Sequence, residues 1–142
     1  MYEYTARFTD VHEYGVSLAD VLAGKRPPQA EGLRVDIAFA GEVQGELAGS
    51  LRAVDHLNVR ADGRMELDIK GHLTTPSGES IAFAAGGVAI AQAEPGRCRI
   101  HEHVRLTSAH PAHAWLNTLE IWAVGSADVT TGTVHIRGYV PA

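Results

Sequence analysis

A chain of 142 residues, 45% hydrophobic and 20% charged, can bury one core and is expected to be a single domain over residues 1–142. A net charge of −5 with no basic cluster speaks against nucleic acid, whose phosphates need a concentrated basic face. No apolar stretch is long enough to cross a membrane, and the alternating start MYEYTARFTD does not read as a secretory leader. One cysteine, Cys98, excludes an internal disulfide, so a reducing cytoplasm is the expected compartment.

Tyr2 to Thr9 alternates as a first strand, with Tyr2, Tyr4, Ala6 and Phe8 on one face. Ser17 to Gly24 reads as one short helix, capped by serine and stopped by glycine. Residues 25–32 carry paired prolines and form a loop. Leu33 to Ala40 alternates with Leu33, Val35, Ile37 and Phe39 inward, and Gly41 is expected to end that strand. Val43 to Leu51 then gives a third strand, whose inward glycines imply strong bending.

The stretch from Val54 to Phe83 organises the chain. Ala61-Asp62-Gly63 and Pro76-Ser77-Gly78 suit glycine-closed hairpin loops, which fixes a register. Val59 meets Met65, Leu57 meets Leu67, and Asp55 meets Ile69; beyond the second loop Leu73 meets Ile81, Gly71 meets Phe83, and Ile69 meets Ala85. Odd positions then share one apolar face and even positions the other, and a slip of one residue would mix them. Asp55 is the exception, a carboxylate on the apolar side. Gly71 lies on that side too and is expected to leave room.

Ala84 to Gly96 runs from small residues into a turn. Arg97 to Thr107 returns as a strand with Cys98, Ile100, Val104 and Leu106 on the apolar side, joined there by Glu102. After a connection, Trp115 to Val124 reads as a strand with Trp115, Asn117, Leu119, Ile121 and Ala123 on one face. Val134 to Val140 closes the chain. The expected fold is all-β: a single antiparallel barrel of about eight or nine strands with one short N-terminal helix. Closure hides strand edges, and inward glycines favour a coiled barrel over a flat sandwich.

The run from Gly45 to Ile81 resembles the signature region of domain-of-unknown-function family 3237, also called uncharacterised protein family 0311. Val54-Asp55, Arg60-Ala-Asp-Gly63, Leu67-Asp68 and Thr75-Pro-Ser-Gly78 stand where that family has its Ala-Asp, R-x-D-G, Leu-Asp and T-x-D-G elements. His113-Ala-Trp-Leu-Asn117 is similar to a Tyr-x-Trp-Leu-Asn motif near its C-terminus. The resemblance covers most of the chain from about Gly32 onward and implies a small barrel similar in architecture to allene oxide cyclase. His56, Gly71 and His113 depart from the family's Trp, Tyr and Tyr, so any pocket is reshaped.

By face, the inward polar set is Asp55, Glu102, Asn117, Tyr2 and Tyr4. Burial disfavours the charged form of a carboxyl and raises its pKa toward the range where it shuttles protons near neutrality. The expected ligand is a hydrophobic small molecule carrying a carbonyl. Asp55 and Glu102 would move its proton and Asn117 or Tyr4 would hold the developing oxyanion. Phe39, Leu57, Leu67, Ile69, Gly71, Phe83 and Trp115 complete the expected lining. The plainer alternatives are that Asp55 caps backbone amides at the strand entry and that Glu102 sits in water at a barrel mouth.

His101, His103, His110 and His113 raise the question of a metal. Arg97, Arg99 and Arg105 share the face of the first two, and the next acidic partner of a cupin-like pattern is missing, so no metal is expected. His56 is expected to pair with Asp68 across the strands. Cys98 reads as core, and no phosphate loop, dinucleotide fingerprint or nucleophile elbow is present, so no cofactor is expected. Trp122 and Tyr139 point outward and suit a subunit contact, so a homo-oligomer is expected; the plainer alternative for Trp122 is a surface ring lying over a neighbouring strand. The function this supports is a cofactor-free isomerase, cyclase, hydratase or lyase; the alternative is a non-catalytic carrier or sensor using the same cavity.

Overall fold

A computed structural model describes residues 1–141. Eight strands form a closed antiparallel barrel in chain order: β1 (Tyr2–Glu13), β2 (Leu33–Gly45), β3 (Gly49–Val59), β4 (Met65–Thr74), β5 (Ser80–Ala91), β6 (Arg97–Thr107), β7 (Ile121–Asp128) and β8 (Thr133–Tyr139), which pairs back onto β1. A five-residue helix, α1 (Leu18–Leu22), joins β1 to β2, and a 3-10 helix (Pro111–Thr118) joins β6 to β7. No helix among the described residues is long and apolar enough to cross a membrane.

The two glycine turns form as their sequence dictates, with Gly63 at φ +87° and Gly78 at φ +93°, where a side chain would be strained. The register follows. Val59 faces Met65, Asp55 faces Ile69, Gly71 faces Phe83, Leu73 faces Ile81 and Ile69 faces Ala85. Buried and open positions alternate along β3 and β4 as that register requires. Ser17 caps α1, its hydroxyl accepting from the Asp20 N–H at 3.3 Å, and Gly24 at φ +74° ends the helical run.

Three expectations are corrected. Gly41 does not end a strand: it pairs with both Ala6 and Leu51 inside a continuous β2. A Cβ there would lie 2.3 Å from the Thr5 carbonyl oxygen, so the glycine serves close strand approach. The segment read as a third strand is therefore shared between the end of β2 and the start of β3, giving eight strands. Second, Trp115 to Thr118 is not strand. Pro111 opens a 3-10 helix, the His110 side chain accepts from the Ala112 N–H, and strand structure begins only at Ile121. Third, His56 pairs with Asp36 on β2, its Nδ1 lying 2.9 Å from Oδ1, instead of with Asp68.

Antiparallel order places connections alternately at two ends. One end carries α1 and the turns at 60–64, 92–96 and 129–132. The other carries the turns at 46–48 and 75–79, the N-terminus and the 3-10 helix. Leu51, Leu73, Ile81, Leu106, Leu116 and Ile121 fill this second end, each at most 1% exposed. The space that remains lies between mid-barrel and α1.

Candidate functional site

A cavity enclosing about 60 Å³ of free space lies beneath α1. Its partly exposed lining residues, Phe8 of β1, Leu22 of the helix, Ala127 and Val129, mark its mouth; Leu18, Ile37, Leu57, Leu67, Ile69 and Ile100 are among its buried walls. Its polar lining side chains are Tyr4, Asp55 and Glu102. The space suits a few waters or a compound of few heavy atoms, well below the several hundred cubic ångströms of a drug-sized pocket.

Asp55 sits in β3 between Ile37 and Ile69 and is 7% exposed. Its Oδ1 accepts the Asp68 N–H at 3.0 Å, where the β3–β4 ladder is interrupted at His56 and Leu57. The side chain thus replaces a backbone acceptor. Burial raises its carboxyl, the Asp68 amide pulls the other way, and the result is a pKa of about 6.

Glu102 is more extreme. It lies in β6 between Gly87 and Ala123, is 2% exposed, and neither carboxyl oxygen has a hydrogen-bond partner among the described residues. A charged carboxylate so placed would be costly. Burial first, and the Asp55 charge second, push its pKa up to about 8. The two acids therefore take different states near pH 7: Asp55 mostly ionised, Glu102 mostly protonated.

Tyr4 and Tyr2 alternate onto the same face of β1 and stack, ring centres 6.3 Å apart. Burial, then the Glu102 charge, raises both phenols well above their ordinary value, so both stay protonated. The Tyr2 hydroxyl is buried without a partner among the described residues, its ring packed where a Cβ on Gly138 would stand. Cys98 also lines the cavity, its thiol raised by burial.

Of the residues expected at the site, Tyr4, Phe39, Asp55, Leu57, Leu67, Ile69 and Glu102 line this cavity. Glu102 is not at a wet mouth. Four others do not line it. Asn117 clamps the β6–β7 connection, its Oδ1 accepting the Ser108 N–H at 2.7 Å and its Nδ2 donating to the Ser108 carbonyl at 2.8 Å. Trp115 is 45% exposed, because the 3-10 helix turns Leu116 inward instead. Phe83 is buried toward the filled end. Gly71 leaves no room: a Cβ there would stand 2.2 Å from the Arg52 carbonyl oxygen and 2.5 Å from the Ala53 Cβ. Sequence reasoning missed the helix's share of the lining; Leu18 and Leu22, one helical turn apart, were its signal.

Fold and site together define a small closed eight-strand barrel with two buried carboxyls and a tyrosine around an apolar hollow. Residues 15–140 match the family described as "Protein of unknown function (DUF3237)", and the chain belongs to that family. No curated protein matches its sequence. It is similar to a conserved protein of unknown function from Rhodopseudomonas palustris (21% identity, TM-score 0.76, covering 98% of this chain and 93% of that one). It is also similar to a β-barrel-like protein from Acinetobacter baumannii (21% identity, TM-score 0.75, covering 99% and 92%). A third similar structure is described as an enzyme from Penicillium herquei (14% identity, TM-score 0.65, covering 99% and 92%). At these identities the likeness shows the fold alone.

Proposed function

We propose that the barrel interior binds a small, largely apolar, oxygen-bearing molecule and moves a proton on it. The observation that carries this is the pairing of Asp55 and Glu102 in one apolar cavity with their proton affinities pushed apart. Asp55, ionised, takes a proton from a carbon or hydroxyl of the ligand. Glu102, protonated, delivers its own to the atom that becomes negative, and the Tyr4 hydroxyl donates to a developing oxyanion. The step leaves Asp55 protonated and Glu102 ionised, and exchange with water resets the pair. Isomerisation, cyclisation and the addition or loss of water all fit this balance and transfer no electrons. The fold-mate described as an enzyme supports catalysis on this scaffold. A ligand of more than a few heavy atoms must displace Phe8 and Leu22 at the mouth.

A carrier or sensor is the second reading, favoured by the Asp55–Asp68 hydrogen bond, which gives that carboxylate a structural task. Asp55→Asn separates the two, because its amide oxygen can still accept from Asp68. Deuterium wash-in from heavy water into small ketones and hydroxy ketones, followed by NMR, reads the proton step. Catalysis predicts exchange lowered by about 10²- to 10⁴-fold in the variant with ligand affinity retained. No exchange by the unaltered protein, with binding intact, leaves the carrier.

A further inference from the structure

The barrel end opposite the cavity mouth holds a second arrangement of ionisable groups. His110 and His113 flank Pro111-Ala112 at the start of the 3-10 helix, where three residues per turn align positions i and i+3. The His113 N–H donates to the His110 carbonyl at 3.0 Å, closing that turn, and the two rings lie 5.6 Å apart. Glu79 approaches from the β4–β5 turn. Its Oε2 accepts the Thr75 hydroxyl at 2.5 Å, and its N–H donates to Thr75 Oγ1 at 3.1 Å. Thr75 is itself 6% exposed, so the carboxylate is oriented from beneath. Its other oxygen faces the histidines, 3.7 Å from His110 Nε2 and 4.0 Å from His113 Nε2.

Those separations matter. The close imidazole–carboxylate contacts elsewhere, His56 with Asp36, His103 with Glu120 and His135 with Glu3, are direct hydrogen bonds at 2.5–2.9 Å. Here three groups converge without touching, their ligand atoms all within 4.8 Å of one another, the one such grouping of three among the described residues. A tetrahedral ion bound at about 2.1 Å holds its ligands roughly 3.4 Å apart, a contraction that small side-chain rotations supply.

We propose that Glu79, His110 and His113 bind a divalent transition-metal ion of the zinc class. Two imidazoles and a carboxylate suit such an ion, and Thr75 provides the outer hydrogen bond that orients a ligating carboxylate. A fourth position remains for water, since the His110 side chain is 46% exposed. His110 Nδ1 accepts the Ala112 N–H at 3.2 Å, which places that ring's proton on Nε2. Coordination through Nε2 moves the proton to Nδ1 and gives up this long contact. The bound ion ties the β4–β5 turn to the segment that carries the Leu116 plug, so its effect is on stability.

The test is calorimetric titration of Zn²⁺ into the full chain after chelator dialysis, with thermal unfolding alongside and Co²⁺ absorbance reporting coordination geometry. The expected result is one ion per chain at low micromolar concentration and a Tm raised by several degrees. His113→Ala and Glu79→Gln should each weaken binding at least tenfold with unchanged far-ultraviolet circular dichroism, while Asp55→Asn binds as the unaltered protein does. If His113→Ala fails to fold, His110→Ala, at an exposed side chain, carries the same comparison. Binding only at millimolar concentration, or equal binding by the His110→Ala/His113→Ala double variant, overturns the proposal.

Discussion

Glu102 offers the sharpest test of the site, because its burial has a consequence that needs no substrate. With its carboxyl raised from 4.5 to about 8, the folded chain holds a proton that the unfolded chain has released. Stability from this group is fully present below the unfolded value and is lost as pH rises through the folded one. Between about pH 6 and pH 8 the loss amounts to about 2 kcal/mol. Asp55, raised from 3.8 to about 6, incurs most of its loss at lower pH, so the upper window belongs to Glu102. Glu102→Gln resembles the protonated acid in shape and does not titrate. Urea unfolding at a series of pH values, followed by circular dichroism, should show the unaltered protein weakening by that amount. The variant should stay level to within about 0.5 kcal/mol, the usual scatter of a neutral substitution. Parallel curves for the two proteins would refute the reasoning: Glu102 would then be ionised and solvated, and no acid–base pair would exist in the cavity.

Two further outcomes follow from the geometry. Asn117→Ala removes both contacts to Ser108 and should lower stability by about 1–2 kcal/mol in denaturant titration, yet leave proton exchange at the Asp55 site unchanged. A loss of exchange with intact folding would return Asn117 to the site. Gly71→Ala drives a methyl into the Arg52 carbonyl and Ala53, and should cost about 1–3 kcal/mol or more by the same measurement, with no gain or loss of cavity. A neutral effect would mean that β3 and β4 are less closely pressed than described.

The parity of the central strands was legible because two glycine turns fix the register and side chains alternate every residue. Asp55 could be placed on the inner face from that alone, and Glu102 from its alternation with Cys98, Ile100, Val104 and Leu106 within β6. Asn117 and Trp115 could not. Their alternation with Leu119 and Ile121 mimics a strand, but Pro111 and the side-chain bonds from His110 and Asn117 stabilise a 3-10 turn, whose period differs. Gly71 shows the same limit from another side: a missing side chain signals either space or close approach, and only the neighbouring backbone distinguishes them.

What the sequence by itself determined is which residues face inward along each strand, since that depends on contacts between neighbours in the chain and on turn chemistry. Tertiary structure alone decided which of them meet. Closure of β8 onto β1 sets Tyr4 of the first strand in one cavity with Asp55 and Glu102, and the crossing of two distant connections at one end gathers Glu79, His110 and His113. Such meetings arise from the geometry of a closed sheet, in which residues far apart in sequence face one another across the interior or share a rim, and no local pattern encodes them.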